Sequence, residues 1–354
     1  ILVDANNDVD AVFAANDGLG NSAAVAVENA GLGLIPISGQ DATAVGMQNL
    51  LLGRQNMSVY KPIKAEAAVA AAAALALARG ESLDSVTSEF GFENTTINNG
   101  QNDLPFFALT PIGVTKDTIA DTVIADGFRT VEEICTDDVI ANTPADNAAA
   151  LEETCSAEPV AQGDGPIAGP IWVLLPDSAT SDRWENDDRR FFEEAFDAAG
   201  LSSGSDYTIV NAEGDTQTQL SQAEQAVADG ASVVLFVEID SGSGAAIIDT
   251  LRSGDVQVIN YDRLTIEGPG ADLYVSFDNV QVGRTMAEIM GPAIDALDVD
   301  VPRVVMLNGG PEDNNATLFR QGYNETVEAK VAAGEWELVA DQAVPGWDNQ
   351  QALT

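Results

Sequence analysis

An α/β fold of two lobes is what this sequence predicts, on three observations. Short apolar runs alternate with amphipathic or alanine-rich stretches of helical length along most of the chain. Polar residues, chiefly Asp and Asn, close nearly every apolar run. The 354 residues, 45% hydrophobic and 6% aromatic, suffice for two domains or lobes, each with a core of its own.

Taken in order, 10–17 (DAVFAAND), 35–41 (IPISGQD) and 57–62 (MSVYKP) read as strands, the first two each followed by a helix. The longest apolar stretch, 65–78, contains Glu66 and is mostly alanine. Its 14 residues fall short of the about 20 that a membrane-spanning helix needs, so a packed helix is expected. Residues 157–170 are rich in Pro, Gly and Ala and read as a flexible linker. The run 171–177 (IWVLLPD) starts the pattern again, with a helix over 183–200. Strands follow at 207–212, 232–240, 256–263, 272–279, 303–310 and 337–344, with a helix-length stretch after most of them. The sequence ends at Thr354 where a helix is expected, and Ile1 opens with neither a natural start nor a secretory signal, so any such signal is expected to have been removed or to lie elsewhere.

Asp and Glu number 57 against 15 Lys and Arg, a net charge of −42 with no histidine. Phosphate backbones and anionic membrane surfaces are repelled by such a chain, so neither nucleic acid nor a membrane surface is expected as a partner. The acidity is spread along the sequence and reads as a solvated surface suited to salty or extracellular conditions. Cys135 and Cys155 enclose a short loop that a disulfide would stabilise by roughly 3 kcal/mol in an oxidising compartment, two free thiols being the alternative. Two cysteines without histidine do not form a zinc site, and no metal or cofactor is expected.

The strand-closing residues are Asp177, Asp240, Asp262 with Arg263, Asp313 to Asn315, Asn16 with Asp17, and Gln40 with Asp41. In open parallel sheets the carboxyl ends of the strands line the ligand crevice, so these side chains converge there. Asp, Asn, Gln and Arg suit a neutral polyol, because every hydroxyl donates and accepts and a carboxylate or guanidinium holds two neighbouring hydroxyls. Trp184 and Trp347 add flat faces for a sugar's C–H surface. Each residue also has an ordinary reading. Asp and Asn are common helix caps, Arg183, Arg263 and Lys61 suit surface ion pairs, and Trp184 suits a core at a helix start.

The stretches SATSDRWENDDRRFF, VINYDRL, LYVSFDNVQVG, NGGPEDNNATLFRQGY, AANDGLGNSAA, ISGQDATAVG, SVYKPI and LTPIGVTKDTI carry a resemblance. Together they resemble the periplasmic sugar-binding proteins of bacterial ABC importers, the xylose binders above all, with glucose and galactose binders as relatives. The resemblance implies a two-lobed periplasmic-binding-protein-like fold, each lobe a parallel sheet flanked by helices, and sugar contacts at Arg183, Asp262, Arg263, Asp313, Asn315, Trp347, Asn16, Asp41 and Lys61, with Trp184 adjacent. The family's motifs stand here in swapped order, ND, GQD and YKP coming first, which implies a circular permutation with Ile1 and Thr354 close together. It also implies lobes of 62–109 plus 170–278 and of 1–61 plus 110–155 plus 279–354, a linker at 156–169, and crossings near Asp278, Lys61 and Pro111. The implied activity is that of an extracytoplasmic, monomeric receptor that closes on a monosaccharide, xylose first and glucose or galactose second, and hands it to a membrane permease without chemistry. A glycoside hydrolase using two of the carboxylates, and the effector domain of a sugar-responsive repressor, are the other readings. The second lacks the basic helix-turn-helix it would need.

Overall fold

The computed structural model describes residues 8–92, 95–155, 169–178, 181 and 183–352. β1 (Ala11–Ala14) leads into α1 (Asp17–Asn29), α2 (Ala44–Leu52), β2 (Ser58–Tyr60), α3 (Ile63–Ala78) and α4 (Asp84–Phe90). Three strands come next, β3 (Thr95–Asn98), β4 (Asp103–Leu109) and β5 (Ile112–Val114), and then the short helices α5 (Val131–Ile134), α6 (Asp137–Asn142) and α7 (Ala148–Thr154). The alternation resumes with β6 (Ile171–Leu175), α8 (Arg189–Ala198), β7 (Tyr207–Asn211), α9 (Thr216–Ala228), β8 (Val233–Phe236), α10 (Gly244–Ser253), β9 (Gln257–Tyr261) and β10 (Leu273–Phe277). It finishes with α11 (Asn279–Asp295), β11 (Arg303–Asn308), α12 (Asn314–Ala332), β12 (Glu337–Ala343) and α13 (Asn349–Ala352).

Seven strands form one sheet in the order β3-β4-β10-β9-β8-β6-β7. All its pairings are parallel except β3 with β4. Every residue of β6, β8 and β10 is buried, as expected where helices cover both faces of a parallel sheet. A second sheet runs β1-β11-β12 in parallel, and single bridges from Val12 to Ile37 and from Gln40 to Val59 carry it across to the antiparallel pair β2-β5. The stretch 35–41 is therefore not a full strand. Ser38 replaces part of the ladder: its hydroxyl accepts from Ala14 N and donates to Ala14 O, both at 2.9 Å.

The alanine-rich stretch is α3, packed against α8, β8, β9 and β10. The helix expected over 183–200 is present, but it opens with a π-helical turn, Trp184–Asp188, before α8. Side chains at strand ends cap the helices that follow. Asn16 accepts from Leu19 N, Asp278 from Gln281 N and Asp313 from Asn315 N. Asp240 has the ordinary role, accepting from Gly242 N and Ser243 N ahead of α10.

Helices α11 and α12 touch backbone to backbone. A Cβ on Gly283 would lie 2.0 Å from Phe319 O, and one on Gly322 would lie 2.1 Å from Val280 O. Cys135 and Cys155, at the ends of α5 and α7, are joined in a disulfide. No described helix is long and apolar enough to cross a membrane. Ile1, Thr354 and nearly all of the 156–169 linker lie outside the described residues. The nearest described neighbours are Asp8, whose carbonyl accepts from Arg303, and α13, whose Asn349 carbonyl accepts from the Ser22 hydroxyl of α1.

Candidate functional site

The ends of β1, β2, β6, β9 and β11, with the loops that follow them, meet at one cavity between the two sheets. Its wall holds all ten of the expected residues: Asn16, Asp41, Lys61, Arg183, Trp184, Asp262, Arg263, Asp313, Asn315 and Trp347. Gln40, Ser181 and Phe319 complete it. The space left is about 30 Å³, room for a water or two, because the lining side chains close on one another. Larger openings of about 820 and 450 Å³ flank it, and Asp177 lines the smaller of these rather than the cavity.

Asp262 is the hub. Its Oδ2 accepts from Arg183 Nη1 at 2.8 Å and from Lys61 Nζ at 3.3 Å. Asn315 Nδ2 donates to its carbonyl at 3.1 Å and its Oδ1 at 3.2 Å, and Asn279 in turn donates to Asn315 Oδ1 at 2.9 Å. Burial works to raise the Asp262 pKa, but Arg183, Lys61 and Arg263 outweigh it and hold the carboxyl below the usual range. Lys61 also lies 3.6 Å from Asp41 Oδ1, and Arg263 Nε lies 3.2 Å from Asp313 Oδ2. Burial raises Asp313, with Arg263 opposing it.

A supporting layer fixes these groups. Arg183 makes a forked pair with Asp188, Nε to Oδ2 at 2.8 Å and Nη2 to Oδ1 at 2.7 Å, and Tyr261 donates to the same carboxylate at 2.8 Å. Glu66 of α3 accepts from Arg183 Nη2 at 3.2 Å, and burial drives its pKa well up. Arg263 donates to the carbonyls of Glu238 and Ile239 at 3.1 and 3.3 Å. The Arg183 guanidinium lies 4.3 Å and that of Arg263 5.5 Å from the Trp184 ring centroid, so Trp184 is a platform for two cations.

Backbone strain gathers at this cavity. Asp41, Ala42, Asp262 and Trp347 have φ of 89°, 45°, 59° and 52°, values unusual for residues with a Cβ. Trp347 is brought in by the turn Pro345–Trp347 and packs where Gly309 leaves room, since a Cβ there would meet its ring at 2.1 Å. Three polar atoms of the lining are buried without a hydrogen-bond partner, Gln40 Oε1, Arg263 Nε and Trp347 Nε1. Arg263 Nε faces the Asp313 carboxylate as an ion pair at 3.2 Å, which leaves Gln40 Oε1, an acceptor, and Trp347 Nε1, a donor, as the two without an ion partner either. Among the described residues no group of three His, Cys, Asp or Glu is placed to hold a metal.

Glu66, Asp188, Gln40 and Phe319 were not among the expected contacts. Gln40 had a signal in its place beside Asp41. Glu66 stood out only as the lone acid among alanines, and the other two carry no mark in the sequence.

The chain belongs to the periplasmic binding protein domain family, whose pattern matches residues 1–82 and 172–354. Within that class it is similar to the D-xylose-binding periplasmic protein of Escherichia coli strain K12, 43% identical over 130 residues, which are 36% of this chain and 37% of that protein. It is likewise similar to the D-xylose-binding periplasmic protein of Haemophilus influenzae, 41% identical over 180 residues and 51% of each chain. The chain thus spans about half or less of the length of these two relatives. Among solved structures, it is similar to an ABC transporter solute binding protein from Clostridium phytofermentans with bound β-D-glucose, 26% identical, with a TM-score of 0.45 over 50% of this chain and 55% of that one.

Proposed function

We propose that this protein is an extracytoplasmic receptor for a monosaccharide, D-xylose first, which it holds between two lobes and delivers to an ABC permease. The observation that carries the reading is the pair of unpartnered atoms, Gln40 Oε1 and Trp347 Nε1, in a cavity otherwise lined by carboxylates, amides and guanidinium groups. An acceptor and a donor beside a carboxylate-rich wall are what ring hydroxyls satisfy. The two relatives named above are D-xylose binders by name, which favours xylose. Glucose is the second reading, because one hydroxymethyl group is a small difference in shape. The hydrolase reading is disfavoured, since Asp41 and Asp262 share Lys61 and Asp313 pairs with Arg263, leaving none of these three without a cation to act as an acid.

The lobes in this proposal are 62–109 with 170–278, around the seven-stranded sheet, and 1–61 with 110–155 and 279–354, around the other. Lys61 stands at one crossing. Closure follows from contacts the sugar makes to both at once. Calorimetric titration with xylose, glucose, galactose, ribose and arabinose tests the reading. Heat from xylose is expected, and silence from all five would refute it. Arg263→Ala is expected to abolish that heat while the protein stays folded; unchanged affinity would remove Arg263 from the site.

We further propose that the segment order is a circular permutation of the family's. The motif order supports it. A reordered chain with 171–354 preceding 1–155 is expected to fold and bind xylose as the parent does, whereas a parent that binds and a reordered chain that cannot fold would count against it.

A further inference from the structure

We infer that Arg129 is a positioning residue, a latch that holds the two sheets closed by gripping both segments that present sugar-binding groups; this rests on the receptor reading above. Arg129 lies outside the cavity, on the wall of the 820 Å³ opening, and is only 9% exposed. Its Nη1 and Nη2 donate to the two oxygens of Asp187 at 2.7 and 2.8 Å, a forked, buried ion pair. Its Nε donates to the Ala42 carbonyl at 3.2 Å.

Both ends of that grip matter. Asp187 sits in the π-helical turn that carries Trp184 and follows Arg183, on the side of the seven-stranded sheet. Ala42 belongs to the turn with positive φ at Asp41 and Ala42, on the side of the other sheet. A single guanidinium therefore ties together two backbone segments that point candidate ligand groups into the cavity from opposite sides.

The segment around Arg129 is anchored on one side and pressed on the other. Tyr60 of β2 donates to the Asp126 carboxylate, and its ring lies 5.1 Å from that of Phe128. Across the gap, Phe128 stacks on Phe191 of α8 at 6.1 Å, and Arg190 Nη2 donates to the Phe128 carbonyl at 3.4 Å.

The energetics suit a reversible latch. When the sheets part, Arg129 and Asp187 both return to water, so the intact pair changes the open–closed balance only modestly. Removing the Asp187 charge leaves Arg129 as an unpaired charge in the closed form alone, and breaking the fork leaves Asp187 only the longer contact to Arg190 at 3.4 Å; either change raises the energy of the closed form and not of the open one. The cost therefore falls on sugar release rather than on capture.

Two variants test this. Asp187→Asn keeps the shape and loses the charge; Arg129→Lys keeps the charge and loses the fork. Each is compared with the parent by stopped-flow tryptophan fluorescence with D-xylose and by small-angle scattering of the sugar-free protein. Melting temperatures within about 3 °C of the parent establish that the fold is intact. The expected result is a dissociation rate raised at least about tenfold with the association rate within about twofold, or a larger sugar-free radius of gyration in both variants. Either signature supports the latch. If dissociation and radius of gyration both stay at the parent's values, the latch is refuted. A parent that binds none of the five sugars overturns the receptor reading instead, and the scattering comparison then decides the latch by itself.

Discussion

Asp17 stands one residue beyond Asn16 yet has no place in the cavity. Its carboxylate accepts from Thr43 N, Gln55 Nε2 and Ser58 Oγ, each at 2.8 Å, and from Thr43 Oγ1 at 3.2 Å. Gly39 and Gly46 are glycines for its sake, since a Cβ on either would come within 2.1 Å of an Asp17 oxygen. Asp17 thus ties the Thr43 end of the turn that presents Asp41 to Gln55 and to Ser58 at the start of β2. Burial pushes its pKa up to about 7, helped by the negative charge of Asp41 and only partly opposed by the hydrogen bonds from Gln55, Thr43 N and Ser58. A carboxyl raised in this way keeps its proton in the folded state at pH values where the unfolded chain has lost it. The stability it lends is complete below its unfolded value of 3.8 and drains away as pH rises through about 7. Asp17→Asn removes that titration, so between pH 4.5 and 6.5, both taken as approximate limits, its stability profile should be shallower than the parent's by about 1 kcal/mol per pH unit. Urea unfolding across that range measures it, and parallel profiles would place the titration elsewhere. The residues that face the cavity were legible from type and position, because polar side chains that close parallel strands gather at the crevice where the strand ends meet. Asp17 was legible only as half of an Asn-Asp pair, and Arg129 not at all. Both act through other residues, and nothing in the sequence says which backbone carbonyl or turn a buried side chain will hold.

At the scale of elements, the strands that read most clearly are those buried on both faces, β6, β8, β9 and β10, because a continuous apolar run can be satisfied in few other ways. The region of β3 to β5 was not read as strands, since edge strands half in solvent, such as β3 with its mostly exposed residues, lack that run. The π-helical turn Trp184–Asp188 was also invisible. Helical periodicity marks 183–200 as a helix but cannot register one wider turn, which here sets the direction of Trp184 and Asp187. The contact of α11 with α12 rests on Gly283 and Gly322, which let the two backbones touch. Gly322→Ala is expected to destabilise the protein by about 1–3 kcal/mol, because the intruding methyl meets backbone that cannot swing aside. A melting temperature for Gly322→Ala equal to the parent's would show that the helices can shift to accommodate the group.

For the molecule as a whole, composition marked an acidic surface, and the structure keeps it. Four of the 15 basic residues, Lys61, Arg129, Arg183 and Arg263, are buried at or beside the cleft, but buried acids such as Asp41, Glu66, Asp188 and Asp262 go with them, so the strong negative charge stays on the exterior. The two sheets and the place where their strand ends meet were legible, because local runs and turn residues specify them whatever the order of the chain. How nearly the sheets approach was not, since that depends on side chains far apart in sequence pairing across the cleft, as Lys61 with Asp262 and Arg129 with Asp187 do.

That pairing reaches beyond geometry. With Lys61, Arg183, Arg263 and their carboxylates already joined around a space of about 30 Å³, a sugar entering under the proposed function would compete with the protein's own side chains for the same partners. Affinity is then the small remainder between two well-satisfied hydrogen-bonded states. Such a site discriminates by stoichiometry as much as by shape. A molecule that lacks one hydroxyl displaces the same internal bonds and returns fewer, so a receptor of the proposed kind would reject near-misses by withholding an exchange of partners.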